Sequence, residues 1–202
     1  MFISLEGPEG SGKSTQAQLL ASHLAGRGVK TLLTREPGGT ALGDRLRELL
    51  MDSRVALTPR AETLLFCAAR AQLLAEVVRP GLARGLVVIC DRYADSTLAY
   101  QSFGRGLELT AVESVVTFAT EGLRPDISVL LDLPPSDGLL RKLGGADDRF
   151  ERETLAFHRR VREGYLTLVR AEPDRWLVVD ASQKPEVVAQ HILQRLSGSI
   201  GQ

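Results

Sequence analysis

The chain of 202 residues has no asparagine, two cysteines and four lysines, and its 25 cationic side chains are matched by 25 acidic ones. Each scarcity excludes something. Without asparagine there is no N-K-x-D loop, the usual reader of guanine. Cys67 and Cys90 lie in apolar stretches without metal-type spacing; they are too few for a disulfide framework and read as reduced core residues. A formal charge of zero gives no overall field toward nucleic acid or an anionic membrane, so any anion must be bound by local placement. No apolar run approaches the ~20 residues that span a bilayer, and no basic leader with a cleavage pattern opens the chain. A cytoplasmic location with no nucleic-acid or membrane partner is the expectation.

What is present is ordinary globular composition, 44% hydrophobic and 25% charged, enough for one domain over 1–202 with a full core. Apolar runs at Phe2 to Leu5, Val29 to Leu33, Leu86 to Cys90, Ile127 to Leu131 and Trp176 to Val179 predict buried strands. Helical patterns lie between and after them, at Lys13 to Ala25, Ala41 to Met51, Pro59 to Val78, Thr110 to Thr120, Ser136 to Leu143, Glu153 to Ala171 and Pro185 to Leu196. Pro59 and Pro185 suit the first turn of a helix, with Thr58 and Lys184 just outside. The alternation predicts an α/β fold, a doubly wound parallel five-stranded sheet with helices on both faces. Such sheets bind ligands at the carboxyl ends of their strands, where this sequence carries Glu6-Gly7, Thr34-Arg35-Glu36, Asp91-Arg92 and Asp132.

The first of these ends runs into Gly7-Pro8-Glu9-Gly10-Ser11-Gly12-Lys13-Ser14, which fits the phosphate-loop pattern G-x-x-x-x-G-K-[ST] between a strand and a helix. Glycines let backbone N–H groups close round phosphates, Lys13 charges the β/γ oxygens, and the Ser14 hydroxyl is a Mg²⁺ ligand. Gly7 to Thr15 is therefore a candidate nucleotide-phosphate site on a P-loop NTPase fold, a motif shared by kinases, GTPases, ATP-driven machines and regulatory binders. Asp91 ends a buried strand, where a carboxylate can hold the metal shell with Ser14. Arg92 and Arg35 flank the same cleft and can fork onto a second phosphate-bearing ligand, or form structural ion pairs with Glu36 or Asp91.

Taken together, these residues resemble the thymidylate (dTMP) kinase family. The likeness runs through Gly7 to Thr15, Arg35-Glu36-Pro37-Gly38-Gly39-Thr40, Phe66-Cys67-Ala68-Ala69-Arg70-Ala71-Gln72, Asp91-Arg92-Tyr93, Ser96-Thr97-Leu98-Ala99-Tyr100-Gln101 and Gly104-Arg105-Gly106. It implies ATP- and Mg²⁺-dependent conversion of dTMP to dTDP by a homodimer; the helix from Pro59 to Val78 is the candidate dimer surface. It also implies a substrate set of Glu9, Arg35, Pro37, Phe66, Arg70, Arg92, Ser96, Thr97, Tyr100 and Gln101. In that set Phe66 stacks on thymine, Arg70 bonds a base carbonyl, Thr97 meets the ring's polar edge, Tyr100 fills the space at the sugar C2′, and Arg35 with Arg92 holds the phosphate. The P-loop has no arginine, which resembles the bacterial type whose catalytic arginine comes from a lid, here 141–152. The usual arginine run is replaced by Leu140-Arg141-Lys142-Leu143-Gly144-Gly145, so Arg149 and Arg141, ahead of Lys142 and Arg152, join Lys13 and Arg92 as candidate catalytic cations. Another nucleotide or nucleoside kinase of the same fold, or a catalytically silent nucleotide-binding protein, is the alternative.

Overall fold

Residue order and spatial order part company in the sheet. The computed structural model, which describes residues 1–142 and 149–196, has five parallel strands, β1 (Phe2–Glu6), β2 (Thr31–Arg35), β3 (Val87–Asp91), β4 (Ile127–Asp132) and β5 (Trp176–Asp180), arranged β2-β3-β1-β4-β5. The first strand is thus central, and the strand order reverses direction on either side of it, the place where such sheets open a crevice.

Side-chain alternation divides the core. Ile3, Leu5, Ile89, Val129, Leu131 and Val179 point to one face, where they meet Ala17, Leu20 and Leu24 of α1 (Lys13–Gly26) and residues of the last helix, which spans Pro185–Leu196. Phe2, Val88 and Cys90 point to the other and meet Leu73, Leu74 and Val78. Burial on both faces is why these strands read as continuous apolar runs. Ser4 and Ser128 break the pattern on the second face, and their hydroxyls lie 2.9 Å apart. Ser128 Oγ donates to Asp95, which Arg175 holds with both terminal nitrogens at 2.7 and 2.9 Å, so the buried hydroxyls have partners.

The helices follow their caps. Thr40, Thr58 and Thr154 accept from Gly43 N, Ala61 N and Phe157 N, opening α2 (Ala41–Met51), α3 (Pro59–Leu73) and α8 (Leu155–Ala171). Several expected boundaries move by a residue or two, and three differences have a clear physical cause. β2 begins two residues later than the run Val29 to Leu33, because its apolar residues are only half covered at the sheet edge. The helix expected to stop at Val78 widens into a π-turn over Leu74–Val78 and continues as α4 (Arg79–Ala83); Pro80 has no N–H to keep the regular ladder. A helix absent from the sequence reading runs from Ala94 to Gly104, as α5 (Ala94–Thr97) and a second π-turn (Leu98–Gly104). The remaining helices are α6 (Leu109–Thr120), α7 (Pro135–Lys142) and α9 (Pro185–Leu196).

Candidate active site

At the carboxyl end of the sheet lies a cavity of about 420 Å³ whose lining includes Glu9, Gly10 and Gly12 to Thr15 of the P-loop and Arg35, Pro37, Phe66, Arg70, Arg92, Ser96, Thr97, Tyr100 and Gln101 from other elements. Asp91 lines it too, and Glu9 joins the two sets through Arg92 and Tyr100. The P-loop is drawn tight by close backbone approach. A Cβ at Gly10, whose φ is +69°, would come within 2.0 Å of Gly138 O, and one at Gly138 within 2.1 Å of Glu9 O, so loop and α7 touch only because both are glycine.

Lys13 is buried and donates through Nζ to Pro8 O at 2.8 Å, Gly7 O at 3.2 Å and Ser11 Oγ at 3.3 Å. Burial pushes its pKa down to about 8, with Arg92 adding to the effect and Glu9, Asp91 and Glu6 opposing it. The hydroxyl of Ser14 donates to Asp91 Oδ2, which brings the two expected metal ligands together.

Arg92 is the hub. Its φ of +70° turns the side chain back under the P-loop, where Nη1 donates to Gly7 O at 3.0 Å and to Ser96 Oγ and Tyr165 OH at 3.3 Å. Nη2 donates to Glu9 Oε1 at 2.6 Å and Tyr100 OH at 3.0 Å, leaving Nε without an acceptor among the described residues. Burial alone would lift the Glu9 carboxyl, but Arg92, Lys13 and the Tyr100 hydroxyl bring it down to about 2. The structural ion pairs considered for the two arginines form with other partners: Arg92 with Glu9, and Arg35 with Asp44 at 3.8 Å across exposed side chains. Glu36 instead pairs with Arg70.

That pair sits at the far wall. Arg70, 1% exposed, donates from Nε to Glu36 Oε2 at 2.8 Å and from Nη2 to Thr97 Oγ1 at 2.9 Å and Tyr93 O at 3.1 Å. Its Nη1 and Glu36 Oε1 are buried without partners, a donor and an acceptor on residues that line the same cavity. The four turns of α3 between Thr58 and Leu74 therefore deliver a ring, Phe66, and a guanidinium, Arg70, from one helical face.

The candidate lid cations separate. Arg141 and Lys142 line the cavity: Arg141 Nη1 donates to Ala181 O at 2.9 Å and reaches Gly10 O at 3.5 Å, and Lys142 meets Glu151 at 2.8 Å. Arg149 is held away from it, with Nη2 3.3 Å from both Glu62 Oε2 and Leu57 O. Arg152 is exposed, and the Leu143 to Asp148 part of the lid lies outside the described residues. Residues absent from the sequence reading complete the site. Met51 and Phe150 line it. Tyr165 and Glu6 stand behind it: Glu6 Oε2 accepts from Ser96 Oγ at 2.6 Å and Tyr165 OH at 3.3 Å, and burial with Asp95 pushes its pKa up to about 7. Only Glu6 had a signal, as the polar end of the first strand.

A P-loop and a second cationic, aromatic half facing each other across one cavity narrow the choice to a two-substrate phosphoryl transferase. Residues 5–192 match the family model described as thymidylate kinase. The chain belongs to the thymidylate kinase family. It is 52% identical over 201 residues to the thymidylate kinase of Carboxydothermus hydrogenoformans, covering 99% of this chain and 98% of that one. Identity to that of Trichlorobacter lovleyi is 50% over 200 residues, covering 95% and 94%, and to that of Deinococcus radiodurans 50% over 198 residues, covering 98% and 96%. Like other members of the thymidylate kinase family, the chain is an ATP-dependent kinase built on a P-loop fold.

Proposed function

We propose that the chain transfers the γ-phosphoryl group of ATP to dTMP, giving dTDP and ADP, with the P-loop half of the cavity taking ATP and the half walled by α3 and Ala94–Gly104 taking dTMP. The observation that carries this reading is Arg70 Nη1: a buried, partnerless donor beside Phe66, in a cavity whose opposite wall is a phosphate loop. A pyrimidine ring carbonyl satisfies that donor, and the Phe66 ring supplies a stacking face.

Arg92 and Arg35 hold the acceptor phosphate, and Tyr100, pinned by Glu9, excludes a 2′-hydroxyl. A phosphate monoester is already anionic, so no strong general base is needed. Rate comes from alignment and from neutralising the moving phosphoryl with Lys13, the loop amides and a lid cation. Arg141 and Lys142 are favoured for that cation over Arg149 because they border the cavity. Ser14 and Asp91 are oxygen donors in direct contact, a pairing that fits Mg²⁺, which uses one or two protein oxygens beside substrate phosphates. Among the described residues no cluster of three or more His, Cys, Asp and Glu forms a self-sufficient cage, which agrees with a metal brought by the nucleotide. Bound there, the ion would offset charge on the β- and γ-phosphates.

We further read 1–202 as one kinase domain with its lid at 141–152, acting as a homodimer in the cytoplasm. Apolar Leu64 and Phe118, 57% and 88% exposed on the neighbouring helices α3 and α6, support a dimer face there. The described residues hold no helix long and apolar enough to cross a membrane. A coupled ADP assay over dTMP, dUMP, UMP, dCMP, AMP and GMP tests the function: ADP must form only with an added acceptor, and fastest with dTMP. Turnover favouring another monophosphate, or none at all, removes the reading.

A further inference from the structure

Behind the base-binding wall three half-buried charges gather round one fully buried carboxylate, a cluster that neither the P-loop nor phosphate binding uses. Glu62, 0% exposed, precedes Phe66 by one turn and Arg70 by two on the same face of α3. Its Oε1 accepts from Arg105 Nε and Gln101 Nε2, both at 3.0 Å, and its Oε2 from Arg105 Nη2 at 3.0 Å. Arg149 closes on the same carboxylate at 3.3 Å, and Arg105 Nη1 also donates to Glu153. Two carboxylates and two guanidiniums balance, which is what allows so many charges to be buried together.

Arg105 joins the cluster to two rings. The guanidinium of Arg105 lies 5.6 Å from the Phe150 ring centroid and 4.8 Å from that of Phe157. Phe150 follows Arg149 directly, is 4% exposed, and lines the cavity. Its centroid is 5.9 Å from Phe66 at an interplanar angle of 52° and 5.7 Å from Tyr100 at 82°. Two ring faces set at 52° make an apolar wedge, suited to the edge of a flat base that carries a methyl group. A Phe in a core needs only apolar neighbours; a fully buried carboxylate holding a guanidinium beside its ring is unexplained by packing alone.

We propose that Phe150 is a specificity-determining wall of the acceptor-base site and that Glu62 and Arg105 are positioning residues that act through it. The inference rests on the dTMP reading above and extends it to the 5-methyl group. Of the two rings Arg105 touches only Phe150 lines the cavity, so on this proposal its loss should matter to base choice only while Phe150 is present.

The test is steady-state kinetics with dTMP, dUMP and ATP for the wild type, Phe150→Ala, Arg105→Met, Glu62→Gln and the Phe150→Ala/Arg105→Met pair, each checked for folding by thermal unfolding. Phe150→Ala should raise KM for dTMP roughly tenfold and narrow the kcat/KM preference for dTMP over dUMP about threefold or more, with KM for ATP within about twofold. Arg105→Met and Glu62→Gln should shift the same two quantities, and the paired variant should be no worse than Phe150→Ala alone. Phe150→Leu and Arg105→Lys retain packing or charge and carry the test if a harsher variant does not fold; each should show a smaller shift in the same direction. A folded Phe150 variant with unchanged dTMP KM and unchanged methyl preference overturns the wall, and additive losses in the pair overturn the positioning role. A wild type that does not phosphorylate dTMP would instead remove the underlying function reading.

Discussion

Arg92 occupies the left-handed backbone region at a φ of +70°, a conformation that costs a branchless arginine about 1 kcal/mol or more and persists only where surroundings insist on it. Five acceptors do so here, from Gly7, Ser96, Tyr165, Glu9 and Tyr100. Lysine cannot reproduce that planar fork, so Arg92→Lys should lower kcat/KM for dTMP by about 100-fold or more while ATP affinity changes little. An activity within threefold of wild type would show the fork to be dispensable. Arg70 couples two effects. Arg70→Ala should cost ~1–3 kcal/mol in kcat/KM for dTMP, and, because it strands the buried Glu36 carboxylate, lower stability by ~3–5 kcal/mol. Denaturant unfolding beside the kinetics separates the two, and Arg70→Ala/Glu36→Gln should recover stability without recovering activity. Lys13 sets a pH dependence. Burial depresses its pKa to about 8 from the ordinary 10.5, so the charge that meets ATP is present below pH 8 and is lost as pH rises through it. Equilibrium ATP binding should therefore weaken from pH 7 to pH 9.5; calorimetric affinities flat over that span would contradict the depressed value.

At the scale of elements, α7 and the P-loop are one mechanical piece. Alanine favours a helix interior over glycine by roughly 1 kcal/mol, yet Gly138→Ala would drive a methyl group to 2.1 Å from Glu9 O. We expect that variant to lower the melting temperature and to raise KM for ATP several-fold; unchanged values would mean that loop and helix part without consequence. The strands are legible in sequence because burial on both faces makes them plain apolar runs, and the P-loop, Asp91 and Arg92 because motif spacing alone places them on strand ends. The limits have physical causes. β2 slips by two residues because an edge strand with half-exposed leucines has no sharp apolar boundary. Ala94–Gly104 shows no stripe because nearly all of it is buried, some residues against the core and others, such as Tyr100 and Gln101, against the cavity. Tyr165, Phe150 and Glu62 join the site only through packing between distant elements, and no local pattern announces that; Glu6 shows only as the polar end of β1. Residue type alone does not rank Arg149 against Arg141, because the contact of Arg149 with Glu62 joins residues far apart in the chain.

For the whole molecule, stability rests on a core shared between two sheet faces. Leu131 is 0% exposed in the middle of one, and Leu131→Ala should cost about 2–5 kcal/mol by chemical denaturation without altering KM for either substrate. The proposed dimer face on α3 and α6 can be tested directly: light scattering at fixed concentration should give a dimer mass for the wild type and a lower mass for Phe118→Glu, and an unchanged mass would direct the search to another face. The placement of β1 has a consequence for synthesis. Its sheet partners are β3, in register from Phe2 with Val88, and β4, in register from Ile3 with Ile127, so β1 leaves the ribosome well before either strand it pairs with. At about 5–20 residues per second the wait for β3 alone is roughly 4–17 s, during which an apolar strand and an unclosed phosphate loop are exposed to solvent and to chaperones. A nascent chain stalled before β3 should therefore bind no nucleotide, however complete its P-loop.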